Sequence, residues 1–295
     1  MELRLDNISK TYDNVQILNH ISVNLTPGIY GLLGANGSGK TTLFRIICGL
    51  LKADAGQVLF NRKDVTNQAD YFRSILGYLP QDFNYYPDFS GLKLMLYIAA
   101  LKGLNNKIAK KRCLELLEFV GLDNVKTKKI KHYSGGMKQR LGIAQTLIND
   151  PMILILDEPT IGLDPKERNR FKKLLSNLSR EKIILLSTHI VSDVESIADE
   201  ILILKDGILQ VKGASCDLVA EIEGQVWECL VSPKEAEELE SRFLVSNSRN
   251  DSGGVIVRIV STQCPVPNAI QVPASLEDLY LYYFREGAYD DINTI

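Results

Sequence analysis

The chain has 295 residues, 45% of them hydrophobic, enough for one large domain with an appendage or for two domains, each with a buried core. A net charge of −2 gives no global field favouring nucleic acid or an anionic membrane, so any anion binding is local. Five scattered cysteines, Cys48, Cys113, Cys216, Cys229 and Cys264, without a C-x-x-C pair, argue against a disulfide framework and for a reducing, cytosolic compartment. The apolar stretches, such as 92–101, are far shorter than the roughly 20 residues of a membrane helix, and the start M-E-L-R-L-D-N has no apolar signal region.

In chain order, alternating apolar residues at Leu3 and Leu5 and at Ile21, Val23 and Leu25 predict two early strands. The run Ile29–Leu33 predicts a buried strand leading into glycines, and apolar positions Leu43, Phe44, Ile46, Ile47, Leu50 and Leu51 follow helical spacing. Cys48 reads as a small core residue of that helix. The turn between them, Gly34-Ala35-Asn36-Gly37-Ser38-Gly39-Lys40-Thr41, satisfies G-x-x-x-x-G-K-[ST] in its required strand, turn and helix setting. Its glycines let backbone N–H groups turn inward around a polyphosphate, and the opening helix adds unpaired donors and a positive dipole end. Lys40 then reaches the β and γ phosphates, the Thr41 hydroxyl ligates Mg²⁺, and Thr42 adds a further contact.

From Leu92 to Val120 the pattern is helical with charged faces, a helical insertion. The basic cluster Lys126, Lys128, Lys129 and Lys131 reads as solvated surface, and His20 and His132 carry no assignment. In Y-S-G-G-M-K-Q-R, 133–140, Ser134 and the Gly135 and Gly136 amides open a helix whose apolar stripe is Leu141, Ala144, Leu147 and Ile148. This second anion-ready terminus has no lysine of the Lys40 kind.

Two short apolar runs, Ile153–Leu156 and Ile183–Leu186, read as buried parallel strands with helix between them, giving an α/β core. The first ends in Asp157 and Glu158, at the carboxyl edge where such sheets bind ligands. Adjacent strand residues point oppositely, so the two acids take different tasks: Asp157 for Mg²⁺, Glu158 as general base on the attacking water. Near Gly213 the composition changes. Strands near 226–231, 243–245 and 255–260 alternate with helices 234–241 and 275–285, a small α+β appendage.

The ordered set of phosphate loop, Gln81 after an apolar strand, Ser134-Gly135-Gly136, the Asp157-Glu158 strand and His189 in S-T-H-I resembles the ABC-family ATPases over residues 1–213. The resemblance implies a P-loop NTPase core of ABC ATPase type, α/β, with an N-terminal β subdomain and a helical subdomain at about 82–150. Residues 214–295 then form the small C-terminal α+β accessory domain. It also implies ATP and Mg²⁺ as ligands. Tyr12 stacks on adenine, Gln81 contacts Mg²⁺ or the attacking water, His189 contacts the γ-phosphate, and Asp164 lies in the loop coupling two sites. Ser134, Gly135 and Gly136 of one subunit cap the γ-phosphate held by another, so the implied partner is a second ATPase subunit, identical or related.

Tyr133, Met137 and Ile161 depart from the commonest family residues, the first two in the manner of a bacterial exporter branch. The segment 82–103, with aromatics Phe83, Tyr85, Tyr86 and Phe89, resembles the region that receives a membrane subunit in type-2 multidrug, antibiotic and polysaccharide exporters. P-A-S-L-E-D-L-Y-L-Y-Y-F from Pro273 resembles the closing helix of the same ATPases. The expectation is an exporter ATPase attached to the inner face of the cell membrane through permease subunits. A soluble non-transport ABC ATPase and an importer subunit remain as alternatives. A P-loop GTPase or kinase is disfavoured, since no N-K-x-D motif accompanies the serine-glycine turn.

Overall fold

The computed structural model describes residues 1–81 and 85–284. Phe83 of the docking segment and Arg285 at the end of the expected last helix lie outside the described residues.

The chain opens with β1 (Leu3–Tyr12) and β2 (Val15–Leu25), an antiparallel pair. Then come β3 (Gly28–Leu33) and α1 (Lys40–Ile47). β4 (Ala55–Phe60), β5 (Lys63–Asp64), α2 (Ala69–Ser74) and β6 (Leu76–Leu79) follow. Helix α1 is shorter than the apolar spacing predicts, because Gly49 at φ +67° turns the chain, and Leu50 is left exposed. Cys48 is buried as expected.

The insertion is two helices, α3 (Gly91–Leu101) and α4 (Asn106–Phe119), broken at Gly103 with φ +75° and restarted by the Asn105 side chain, which accepts from Lys107 N. After α5 (Gly135–Thr146) the chain alternates: β7 (Ile153–Asp157), α6 (Pro165–Leu178), β8 (Ile183–Thr188), α7 (Val191–Glu195), β9 (Glu200–Lys205) and β10 (Ile208–Gly213). The last part holds α8 (Ser215–Val219), β11 (Val226–Val231), α9 (Pro233–Arg242), β12 (Leu244–Asp251), β13 (Gly254–Val260), β14 (Ile270–Gln271) and α10 (Leu276–Phe284).

Three sheets result, ordered β2-β1-β4-β5, β10-β9-β3-β8-β7-β6 and β12-β13-β11-β14. The central sheet is parallel except for β10, and both of its faces are covered, which is why its strands read as continuous apolar runs. Successive residues go to different cores. Leu32, Ile153, Ile155 and Leu185 join a core shared with α1 and the first sheet. Leu33, Leu154, Leu156, Ile184 and Leu186 join a core shared with the insertion and α5.

This second core is continuous with the last part of the chain, since it also includes Leu218, Ile222, Val226, Val260, Leu276 and Leu279. The opposite face of the third sheet has its own small core, where Cys229, Val231, Val257 and Ile259 pack with Ala236 and Leu239 of α9. Arg258 fastens α10 by donating from Nη2 to Asp278 Oδ2 at 2.8 Å. Among the described residues, no helix is long and apolar enough to cross a membrane.

Candidate active site

The register of the parallel strands sets the site. Leu33 pairs with Thr188 and Asp157 with Ser187, so the loops leaving β3, β7 and β8 emerge side by side at one edge. These loops carry the phosphate-loop glycines, Glu158 and His189.

The loop 34–41 is held by close packing. A side-chain carbon at Gly34 would sit 2.7 Å from the Leu204 carbonyl, and one at Gly39 2.7 Å from Leu18. Gly37 and Gly39 adopt φ of +85° and +103°. Gly39 opens α1 with no side-chain cap, leaving the first-turn amides, among them Thr41 and Thr42, available to an anion. Lys40 Nζ donates to the carbonyls of Gly34 at 2.6 Å and Ala35 at 3.0 Å and lies 4.0 Å from Glu158 Oε1. Burial draws the Lys40 ammonium below its ordinary pKa, against the opposing pull of Glu158 and then Asp157.

Asp157 and Glu158 have separate surroundings, as adjacent placement implies. Asp157 is fully buried; its Oδ1 accepts from Ser187 Oγ at 2.6 Å, and its Oδ2 has no hydrogen-bond partner among the described residues. Glu158 departs from the strand at φ +50°, an uncommon conformation for a non-glycine residue, which swings its side chain toward Lys40 and His189. His189 Nδ1 lies 3.2 and 3.1 Å from the two Glu158 oxygens.

Ser187 carries no motif signal and is the residue sequence reasoning missed. Its hydroxyl donates to Asp157 and accepts from the Glu158 amide at 2.9 Å, so one side chain positions both acids. Ser187→Ala leaves a buried carboxylate oxygen and a buried amide unpaired. The expected loss is about 1–3 kcal/mol of stability and about tenfold in kcat. Denaturant unfolding beside an ATPase assay checks both; unchanged stability and kcat would remove this role.

A cleft of about 550 Å³ joins these groups: Tyr12 and Ile17 at one end, then Asn36, Gly37, Gly39, Lys40, Thr41 and Thr42, with Gln81, Glu158, Ile161 and His189 opposite. Ser134, Gly135, Gly136 and Asp164 do not line it. Ser134 caps α5, its Oγ accepting from Met137 N at 3.2 Å, and Ser134 and Gly135 are exposed. Gly136 is buried where any side chain would collide with the Glu167 carboxylate, which pairs with Arg140 at 2.9 Å. Tyr133 anchors this turn to the insertion, donating to the Val125 carbonyl at 2.8 Å. Asp164 is exposed and caps α6, accepting from Glu167 N at 2.8 Å.

Thr41 and Gln81 line the cleft, whereas Asp157 is fully buried and does not, though its Oδ2 lacks a hydrogen-bond partner among the described residues; all three offer hard oxygen donors of the kind Mg²⁺ takes. A family model described as ABC transporter matches residues 18–161. The chain is 34% identical over 287 residues to the Nod factor export ATP-binding protein I of Rhizobium etli, covering 93% of this chain and 90% of that one.

The chain belongs to the ABC transporter family. It is an ABC ATPase. An uncharacterized ABC transporter ATP-binding protein of Bacillus subtilis is 32% identical, covering 95% of this ABC ATPase and 98% of the relative. Among solved structures, the ATP-binding subunit of an ABC transporter superposes with a TM-score of 0.68 at 26% identity, over 75% of this chain and 93% of the other. A dimeric cassette in a post-hydrolysis state bound to ADP and phosphate superposes with a TM-score of 0.66 at 27% identity, over 72% and 98%.

Proposed function

We propose that this ABC ATPase energises export through separate membrane subunits, closing as a dimer on ATP and opening after hydrolysis. One observation carries the reading. Lys40, Thr41, Gln81, Glu158 and His189 share a cleft, whereas the exposed Ser134-Gly135 turn stands outside it, so the γ-phosphate side is completed by a second ATPase subunit, in the simplest case a second copy. The similarity to proteins named for Nod factor export supports the direction of transport, and a dimeric relative supports the assembly.

In this reading Tyr12 stacks on the adenine, and the backbone of Gly34, Ala35, Asn36, Gly37, Ser38 and Gly39 wraps the phosphates with Lys40, Thr41 and Thr42. Thr41, Gln81 and Asp157 would hold Mg²⁺, which neutralises charge on the β and γ phosphates when bound. Glu158 accepts a proton from the attacking water; His189, resting on Glu158, holds that carboxylate toward the γ-phosphate. The partner's Ser134, Gly135 and Gly136 stabilise charge on the transferring phosphoryl group, and Asp164 places the loop facing the partner.

In this reading the chain divides by function into a nucleotide-binding domain at 1–213, with its helical subdomain at about 82–150, and an accessory domain at 214–295 that shares a core with it. Tyr86, Phe89 and Tyr97 form an aromatic cluster, with ring centroids 4.9 to 6.0 Å apart, on the face assigned to the membrane subunit. In this reading the chain works at the inner face of the cell membrane, and the aromatic cluster supports that attachment. A tagged chain purified from detergent-solubilised membranes should carry a polytopic membrane protein that raises its ATPase rate on reconstitution. Recovery of the chain solely from membrane-free fractions would overturn the attachment.

A further inference from the structure

Helix α6 starts at the loop assigned to the partner interface and runs beside α7, the short helix that follows His189. Two side chains one turn apart on α6 reach α7. Arg168 Nη1 donates to Asp193 Oδ1 at 3.4 Å, and Lys172 Nζ donates to the Ser192 carbonyl at 2.7 Å. Arg168 also turns back: its Nε donates to the carbonyl of Leu163, the residue before Asp164, at 3.1 Å. One planar guanidinium therefore spans the interface loop and the element that follows the catalytic edge.

Asp193 is buried, and among the described residues its other oxygen has no hydrogen-bond partner, so Arg168 supplies the ion pair in its surroundings. Asp193 N donates to the Ile190 carbonyl at 3.1 Å, and Ile190 N donates to Thr188 Oγ1 at 3.0 Å. The turn carrying His189 is thereby fixed at both ends, and His189 reaches Glu158 from it.

We infer that Arg168 is a positioning residue, transmitting the placement of the interface loop at Leu163 and Asp164 through Asp193 to the His189–Glu158 pair. The inference rests on the proposed hydrolytic roles of Glu158 and His189. When a second subunit seats against the loop, the Leu163 carbonyl becomes a fixed acceptor. The guanidinium, bound to it by Nε, then holds Asp193 and the His189 turn in one geometry. A lysine cannot replace this: a single ammonium lacks the fork that serves two acceptors in different directions.

The test uses the full chain with ATP and Mg²⁺ and the variants Arg168→Ala, Arg168→Lys, Asp193→Asn and the double variant Arg168→Ala with Asp193→Asn. Both alanine and asparagine variants are expected to lower kcat about tenfold while KM for ATP stays within about twofold, since the nucleotide cleft itself is untouched. The double variant should lose no more than the larger single loss, because the two side chains act as one unit. Arg168→Lys should keep a Tm near wild type yet retain most of the kcat loss. Multiplying losses in the double variant, or kcat rising to wild type with Tm in Arg168→Lys, would overturn the linkage. If Arg168→Ala fails to fold, the Arg168→Lys and Asp193→Asn pair decides by the same kcat and Tm comparison. Normal turnover by Glu158→Gln would instead remove the hydrolytic assignment, and the non-additivity of Arg168 with Asp193 would still be read independently in the same kcat values.

Discussion

Glu158→Gln is expected to lower steady-state ATP hydrolysis about a thousandfold while leaving ATP bound at least as tightly as in the parent chain. The magnitude is that of losing a positioned general base, roughly 10²–10⁴ in rate. Shape is preserved: glutamine fills the same nearly buried space, keeps a hydrogen-bonding group for His189 and occupies the same left-handed backbone position. Electrostatics favour binding, because the substitution removes a carboxylate 4.0 Å from the Lys40 ammonium, the group proposed to meet the phosphates. The lysine then has one anion fewer competing for it. Phosphate release under steady-state conditions, with calorimetric titration of ATP, separates the two effects. Size measurement with ATP should also show the variant accumulating as a closed dimer. Turnover within tenfold of the parent chain would end the assignment of Glu158 as base.

The second large effect is expected for Ser134→Arg. It should reduce hydrolysis by at least about a hundredfold, the scale seen when donors to a charged transition state are removed, without weakening the binding of ATP to a single subunit. Ser134 is exposed and absent from the cleft of its own chain, so its loss leaves Lys40 and Thr41 unaltered. The new side chain places a long cation where the partner's γ-phosphate must meet the first turn of α5. Loss of the cap to Met137 N adds about 1 kcal/mol of destabilisation, which Ser134→Ala reproduces without the bulk. Combined with Glu158→Gln, Ser134→Arg should prevent the ATP-dependent dimer from forming. A dimer forming at unchanged ATP concentration would show that this turn does not face the second nucleotide.

The strand, turn and helix around residues 34–41 and the strand ending at Asp157 were legible because their signals are local: consecutive residues make each of them. The α/β core was legible for a related reason, since burial on both faces of a parallel sheet leaves unbroken apolar runs. The Ser187 contacts were not. They depend on a one-to-one register between β7 and β8, and a serine at a strand end carries no mark of the carboxylate across from it. His189 was read as a phosphate contact, while the structure adds the carboxylate it rests on, about 30 residues away in the chain. Short strands such as β5 and β14 gave too few residues for any alternation to register. The end of α1 was overrun because Leu50 keeps helical spacing after Gly49 has already turned the backbone.

The core that runs from α4 and α5 beneath the central sheet to Leu276 and Leu279 of α10 makes the chain one cooperative unit at that face. A sheet with a wholly separate core would melt by itself and leave a competent enzyme behind. Here the loss of α10 uncovers apolar surface contiguous with the strands that hold Asp157 and Ser187, so a lesion near the C-terminal end exposes the enzyme's interior to proteases.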